Sequence, residues 1–220
     1  QIGSINRAIV LLGLNAVKNI AIAASLTKLF RGGRISPNFD ARDLWNHAFS
    51  SATCTRLLAD KVGLGLPDEA FLAGLMHNIG ILVEIQACRP KFVKTLENLD
   101  TDPNLTLREA ETQTLGANHE QFGSVLCQAW KFPQSFVYVT GFHHHPWDLP
   151  DNHRTLTGLV HLADIVVAKL ELGFTRGTET QTFDPPFLQQ LNLTVVQIEQ
   201  VITELPKAMD ETRSLFSDVV

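Results

Sequence analysis

The sequence predicts an all-α protein, an orthogonal bundle of amphipathic helices. Apolar residues recur at helical spacing in almost every segment, side-chain caps precede several of them, and credible alternating strands are few. In "SINRAIVLLG", Ile5, Ala8, Ile9 and Leu12 share a face behind a Ser4 cap, and Gly13 breaks the run. "LNAVKNIAIAASLTKLF" is a second amphipathic run, read as a core helix or a partner-binding one. "RGGRISPNFD" (31–40) reads as a loop. A long helix over 41–62 follows, capped by Asp40, and "GLGLP" ends it. Pro67 opens one helix over 68–87, and Pro90 opens a short one. Thr106 and Glu109 have capping-box spacing. Helices are expected over 118–130, 134–144 and 155–172, and a loop over 173–186. Asp184-Pro185 starts a short helix, and 194–216 closes the chain with Thr-x-x-Gln capping and a kink or split at Pro206.

Composition narrows the function class. The chain has 220 residues, 45% hydrophobic and 19% charged, enough for a sizeable core. No run of about 18 uninterrupted apolar residues and no signal-peptide pattern stands out, so no membrane association is expected. The net charge of −5 argues against broad nucleic-acid binding, which needs a concentrated basic surface. Cys54, Cys88 and Cys127 are sparse, odd in number and lack C-x-x-C spacing. They read as small buried hydrophobes in a reducing cytoplasm. Trp45, Trp130 and Trp147 read as core or interface packing. The chain opens on Gln1 inside helical sequence, which reads as part of a longer polypeptide.

Chemistry is concentrated in eight histidines: His47, His77, His119, His143, His144, His145, His153 and His161. Most lie in or beside apolar helical segments, and His153 reads as a surface residue. Imidazoles with a carboxylate suit zinc and other borderline metals. No single helix supplies such a set, so ligands have to converge from the helices of His47, His77 and Asp164. Each also has a plain alternative. His47 and His77 read more readily as hydrogen-bonded core histidines than as ligands, and Asp164 equally as a ligand or as a buried carboxylate paired with a neighbouring histidine. His143, His144 and His145 also fit a helix C-terminus, where imidazoles meet the dipole favourably.

Five segments, in this order and spacing, carry a resemblance: "LWNHAFSSA", "AFLAGLMHNIGIL", "ETQTLGANHEQFGSVLCQAWKFP", "FHHHP" and "VHLADIV". Over residues 2–172 the chain resembles the HDOD family, a signalling offshoot of the HD metal-dependent phosphohydrolases. The resemblance implies an HD-like bundle and places the superfamily's metal ligands on His47, the His77-Asn78 pair and Asp164. His119, His143 and His144 occupy places similar to further ligands of the HD-GYP relatives, although no Gly-Tyr-Pro follows the histidines. Where the superfamily has an aspartate, this chain has Asn78. Asparagine keeps the shape of aspartate but not its charge, and is a poor substitute in neutralising or bridging metals. Hydrolysis needs metal-activated water and charge stabilisation, so Asn78 argues against catalysis more strongly than against metal binding.

The expected organisation is an HDOD-like domain over 1–174, lacking the family's first helical stretch, and a helical extension over 175–220. The expected function is a bacterial, cytoplasmic, non-catalytic signalling module that binds a protein partner or a small nucleotide-type ligand, with a homodimer among the options. The alternatives are a phosphohydrolase acting on nucleotides or cyclic dinucleotides, and a purely structural interaction domain. No cofactor is certain; a divalent metal (Fe, Mn, Zn or Mg) is the one the resemblance implies.

Overall fold

The computed structural model describes residues 21, 22, 25, 33–178, 182, 183 and 185–216. The expectations for the segments before residue 33 fall almost wholly outside them, as does Asp184. Arg34–Ser36 (β1) and Phe39–Asp40 (β2) pair antiparallel. The loop expected over 31–40 is therefore in part a small hairpin. Its turn, at Pro37-Asn38, lets Phe39 reach the core while Asp40 caps the next helix. Asp40 accepts the Arg42 backbone N–H at 2.8 Å, as its N-cap role requires.

Helix α1 (Ala41–Lys61) is the axis of the bundle. It packs against α2 (Pro67–Met76), α8 (Asp151–Lys169) and α10 (Val195–Phe216). Between them lie α3 (Ile79–Ala87), α4 (Arg89–Thr101), α5 (Leu107–Leu115), α6 (His119–Ala129) and α7 (Gln134–Phe142). Helix α6 lies between α3 and α7, and α4 packs on α5. A 3₁₀ turn at Pro146–Asp148 joins α7 to α8, and α9 (Pro185–Gln190) precedes α10. Two apolar clusters flank α1. One is built on Leu44, Met76, Ile81, Phe92 and Val139. The other is built on Leu58, Leu162, Val166, Phe187, Ile198 and Leu205, so α9 and α10 cover the second side.

The helix expected over 68–87 is broken at His77-Asn78. In an uninterrupted helix the Gly74 carbonyl would accept the Asn78 N–H. Instead the His77 ring Nδ1 bonds that carbonyl at 2.6 Å, and Asn78 leaves the helical region at φ −97, ψ 20. The break puts His77 at the end of α2, facing the centre. Pro67–Ala87 as a run is long and apolar enough to cross a membrane, but most of it is buried inside the bundle. The split expected at Pro206 does not occur: Val195–Phe216 is one helix. Trp130 and Trp147 are not core residues, being 55% and 52% exposed. Among the cysteines, Cys54 and Cys127 are buried and Cys88 is half-buried, all as free thiols.

Gly80 is needed for close approach. A Cβ there would collide with the His119 carbonyl and press on the Gly123 N–H. That contact lets α3 and α6 pack backbone to backbone and brings His119 towards the helix break.

Candidate metal centre

Helix ends supply most of the site. His47 comes from the second turn of α1, and His77 from the C-terminal end of α2. His119 opens α6, whose start is fixed by a reciprocal cap between Asn118 and Gln121. His143 and His144 follow α7, and Asp164 lies inside α8. All six side chains are buried.

They form two adjoining groups, His47–His77–Asp164 and His119–His143–His144. Within each, one ligand atom per residue lies within 4.8 Å of the others. In the first group His47 Nε2 is 2.9 Å from Asp164 Oδ1 and His77 Nε2 is 3.9 Å away. Thr178 Oγ1 also donates to Asp164 Oδ1, at 2.9 Å. In the second, His119 Nε2 and His144 Nε2 are 3.1 Å apart. The groups meet where the His77 and His143 rings stand 5.1 Å apart, edge to face. Asn78 is buried beside His77, and its Oδ1 has no hydrogen-bond partner among the described residues.

The outer bonds settle how several rings are turned. His77 Nδ1 faces the Gly74 carbonyl, and His143 Nδ1 the Val139 carbonyl at 3.1 Å. Their Nε2 atoms are buried with no hydrogen-bond partner among the described residues. A buried nitrogen in that state is costly unless something else binds it. His161 Nδ1 bonds the His143 carbonyl at 2.7 Å. His161 therefore braces the turn that holds His143, and it faces the backbone there.

Electrostatics favours the neutral form of three imidazoles, while Glu111 raises His119 against the effect of burial. Burial pushes His77 down to about 4 and His144 to about 3, and takes His143 well below its ordinary value. Neighbouring histidines push each of them the same way. His143 and His144 do follow the C-terminal end of α7, but burial disfavours the charged form that a dipole would stabilise most. Burial works to raise the Asp164 carboxyl, but the His47 bond and the surrounding imidazoles hold it below the usual carboxylate range. Neutral nitrogens and an ionised carboxylate are what a metal requires.

The sequence reading missed three acids. Glu111 accepts the His119 backbone N–H at 2.9 Å and its Nδ1 at 2.7 Å. Glu84 lies against Glu111, and burial with that neighbouring charge pushes its carboxyl well up. Glu120 accepts the His144 backbone N–H at 3.1 Å, and its other oxygen is 2.8 Å from Arg108 Nε. His145 Nδ1 lies 3.3 Å from Glu120, which raises the imidazole. The available signal was a glutamate inside an apolar run ("ILVEIQ") and Glu111 just ahead of "NHE".

A helical bundle that gathers histidines and an aspartate from five helices has the architecture of an HD-type domain. The family model described as the HDOD domain matches residues 1–146, and the chain belongs to that family. The crystal structure of an HDOD domain protein from Geobacter sulfurreducens is similar at a TM-score of 0.76 and 21% identity, covering 100% of this chain and 76% of that one. A candidate signal transduction protein from Marinobacter aquaeolei VT8 gives 0.78 and 21%, covering 100% and 48%. A candidate phosphohydrolase from Shewanella amazonensis SB2B gives 0.68 and 22%, covering 95% and 76%. At these identities the likeness is one of fold. An uncharacterized protein of Treponema pallidum (strain Nichols) is 23% identical over 168 residues, 76% of this chain and 32% of its own length. The chain thus spans about a third of that curated relative.

Proposed function

We propose that the protein is a bacterial signal-transduction module whose buried histidine centre binds a divalent metal and does not hydrolyse phosphate esters. The observation that carries this reading is the donor set: five imidazoles, one carboxylate, and neutral Asn78 where a second carboxylate would help hold paired metals. The residues fit a metal, since His77 Nε2 and His143 Nε2 are orphaned towards the pocket. His47, His77 and Asp164 would hold one ion, and His119, His143 and His144 a second. A nitrogen-rich set suits zinc or iron, tolerates manganese and is poor for magnesium, which prefers oxygen. When bound, such an ion supplies Lewis acidity. The chain's own contribution is to hold His77, His143 and His144 neutral by burial and to keep the pocket closed to water. Signal transfer would pass to a protein partner, a second copy of the chain or a small nucleotide-type ligand, in the cytoplasm.

The second reading is a phosphohydrolase of nucleotides or cyclic dinucleotides. Its support is the presence of two adjoining donor groups, since paired metals stand roughly 3.5–4 Å apart in two-metal hydrolases. Two measurements separate the readings. Metal content is measured on protein purified without added metal. Turnover is measured on nucleotides, cyclic dinucleotides and a chromogenic diester, with Zn, Fe, Mn and Mg in turn. Bound metal with no turnover is expected. Turnover that disappears in His77→Ala establishes the hydrolase, and metal-free protein that binds none of the four ions removes the metal from the proposal.

A further inference from the structure

Glu111 is fully buried. Both of its oxygens lie against His119. Oδ-type capping of a helix start uses a residue next to the helix; here the acceptor comes from α5, eight residues before His119. It takes both the His119 backbone N–H and the ring Nδ1, the latter at 2.7 and 3.0 Å from its two oxygens. The ring cannot rotate without losing these bonds. Glu84, also fully buried, stands behind Glu111 on α3. Its own oxygens have no hydrogen-bond donor among the described residues. A carboxyl group in that place is stable when it keeps its proton and donates it to Glu111.

We propose that Glu111, supported by the Glu84 carboxyl, is the positioning residue of the second donor group: it holds His119 as the Nδ1–H tautomer and presents the Nε2 lone pair to a metal shared with His143 and His144. The inference deepens the proposed metal reading and rests on it. A metal-bound histidine commonly gives its other N–H to a carboxylate, which fixes the ring and increases its basicity. His119 has that arrangement, whereas His77 Nδ1 and His143 Nδ1 bond backbone carbonyls, the nearest carboxylate to His143 Nδ1 being Glu120 at 3.8 Å, beyond hydrogen-bond distance. Glu111 thus makes His119 the anchoring ligand of its group. The Glu84 proton matters because a second ionised carboxylate there would repel Glu111 and leave two charges buried without water.

The test is ¹⁵N NMR of the full chain with labelled histidine, at a pH high enough to make His119 neutral, before and during titration with Zn. The variants are Glu111→Gln, close to Glu in shape, and Glu84→Gln, which can still donate to Glu111. In the parent, His119 is expected as Nδ1–H, with Zn shifting its Nε2 signal. Glu111→Gln is expected to stay folded and to weaken Zn binding at His119 by about 10–100-fold. Glu84→Gln is expected to keep the tautomer and bind Zn within a few-fold of the parent. A parent His119 found as Nε2–H, or Glu111→Gln binding Zn as tightly as the parent, overturns the positioning role even if Zn binds. An Nδ1–H ring that Zn does not perturb overturns the metal reading, and with it the anchoring role, while leaving the tautomer lock as a structural fact.

Discussion

At the scale of single residues, Asn78 decides most. It sits at the helix break, buried, with Oδ1 unpartnered among the described residues. Asn78→Asp adds a carboxylate in the same shape. Without metal it is expected to lower stability by about 1–3 kcal/mol, the cost of an unsatisfied buried group. With Zn or Mn the loss should be recovered, because a ligand that binds the fold at about 100 times its Kd stabilises by about 2.7 kcal/mol. Melting temperatures of parent and variant, each with and without metal, check this. Equal metal responses in the two proteins would mean that position 78 does not face the ion. Gly80 is the second decisive residue. Gly80→Ala drives a methyl into the His119 carbonyl, so it should destabilise at the upper end of the roughly 1–3 kcal/mol range for overpacking. It should also weaken metal binding, by moving His119. A variant as stable as the parent in urea would show that α3 and α6 have room to separate.

At the scale of elements, the segment after α8 acts on the site from outside the five helices that build it. Gly173 has φ +86, and a Cβ there would strike the Asp43 carbonyl and crowd the His47 N–H. Phe174 N–H bonds the Asp43 carbonyl at 2.9 Å, Arg176 bonds Asp100 and the Leu99 carbonyl, and Thr178 reaches Asp164. The chain is thereby folded back over the start of α1. Thr178→Val removes the donor to Asp164 while keeping the shape. It should cost about 1 kcal/mol in the metal-free protein and less with metal bound, because the ion then satisfies Asp164. A loss that is the same with and without Zn would contradict that compensation. None of this was legible in "GFTRGTETQTFDPP", which reads as a loop because Gly, Pro and Thr say where a helix is absent, not where the chain lands. Helix starts were legible wherever a cap is local: Asp40, Thr106–Glu109, and Thr194–Gln197 at the head of α10. The break at His77-Asn78 was not, because its cause is a side chain bonding the backbone inside an apolar run. The histidines and Asp164 were singled out from their types and family positions. The acids behind them were not, because Glu111 and Glu84 take their roles only from contacts between helices.

At the scale of the whole molecule, the buried ionisable groups make folding depend on pH in two directions. His77, His143, His144 and His161 are all pushed down by burial. A base held neutral in the fold gives stability that is full above the unfolded value of 6.5 and is lost as pH falls, because the unfolded chain takes up the proton first. Two groups act oppositely above 6.5. His119, raised by Glu111 against the effect of burial, and His145, raised by its Glu120 bond, gain protons in the fold before the unfolded chain does. Glu84, raised by burial, favours the fold increasingly as pH falls towards the ordinary carboxyl value of 4.5. The metal-free protein should therefore gain stability from alkaline pH down to about the imidazole range, and lose it below. In that lower window, four histidines act against one carboxyl. That leaves at most about three protons, an upper limit of about 4 kcal/mol per pH unit. Asp164 adds to the loss only at lower pH, since it stays ionised below its ordinary range. Against a total stability of roughly 5–15 kcal/mol, a slope even well under that limit makes the stability fall markedly as pH drops below 6.5. Zn should steepen the curve, because its ligands must be neutral and its stabilisation disappears in the same window. Urea unfolding at half-unit pH steps, with chelator and with Zn, measures both effects. A metal-free curve that is flat between pH 7 and 5 would mean that the buried imidazoles are already paired or hydrated, and the cost assigned to their burial would have to be withdrawn.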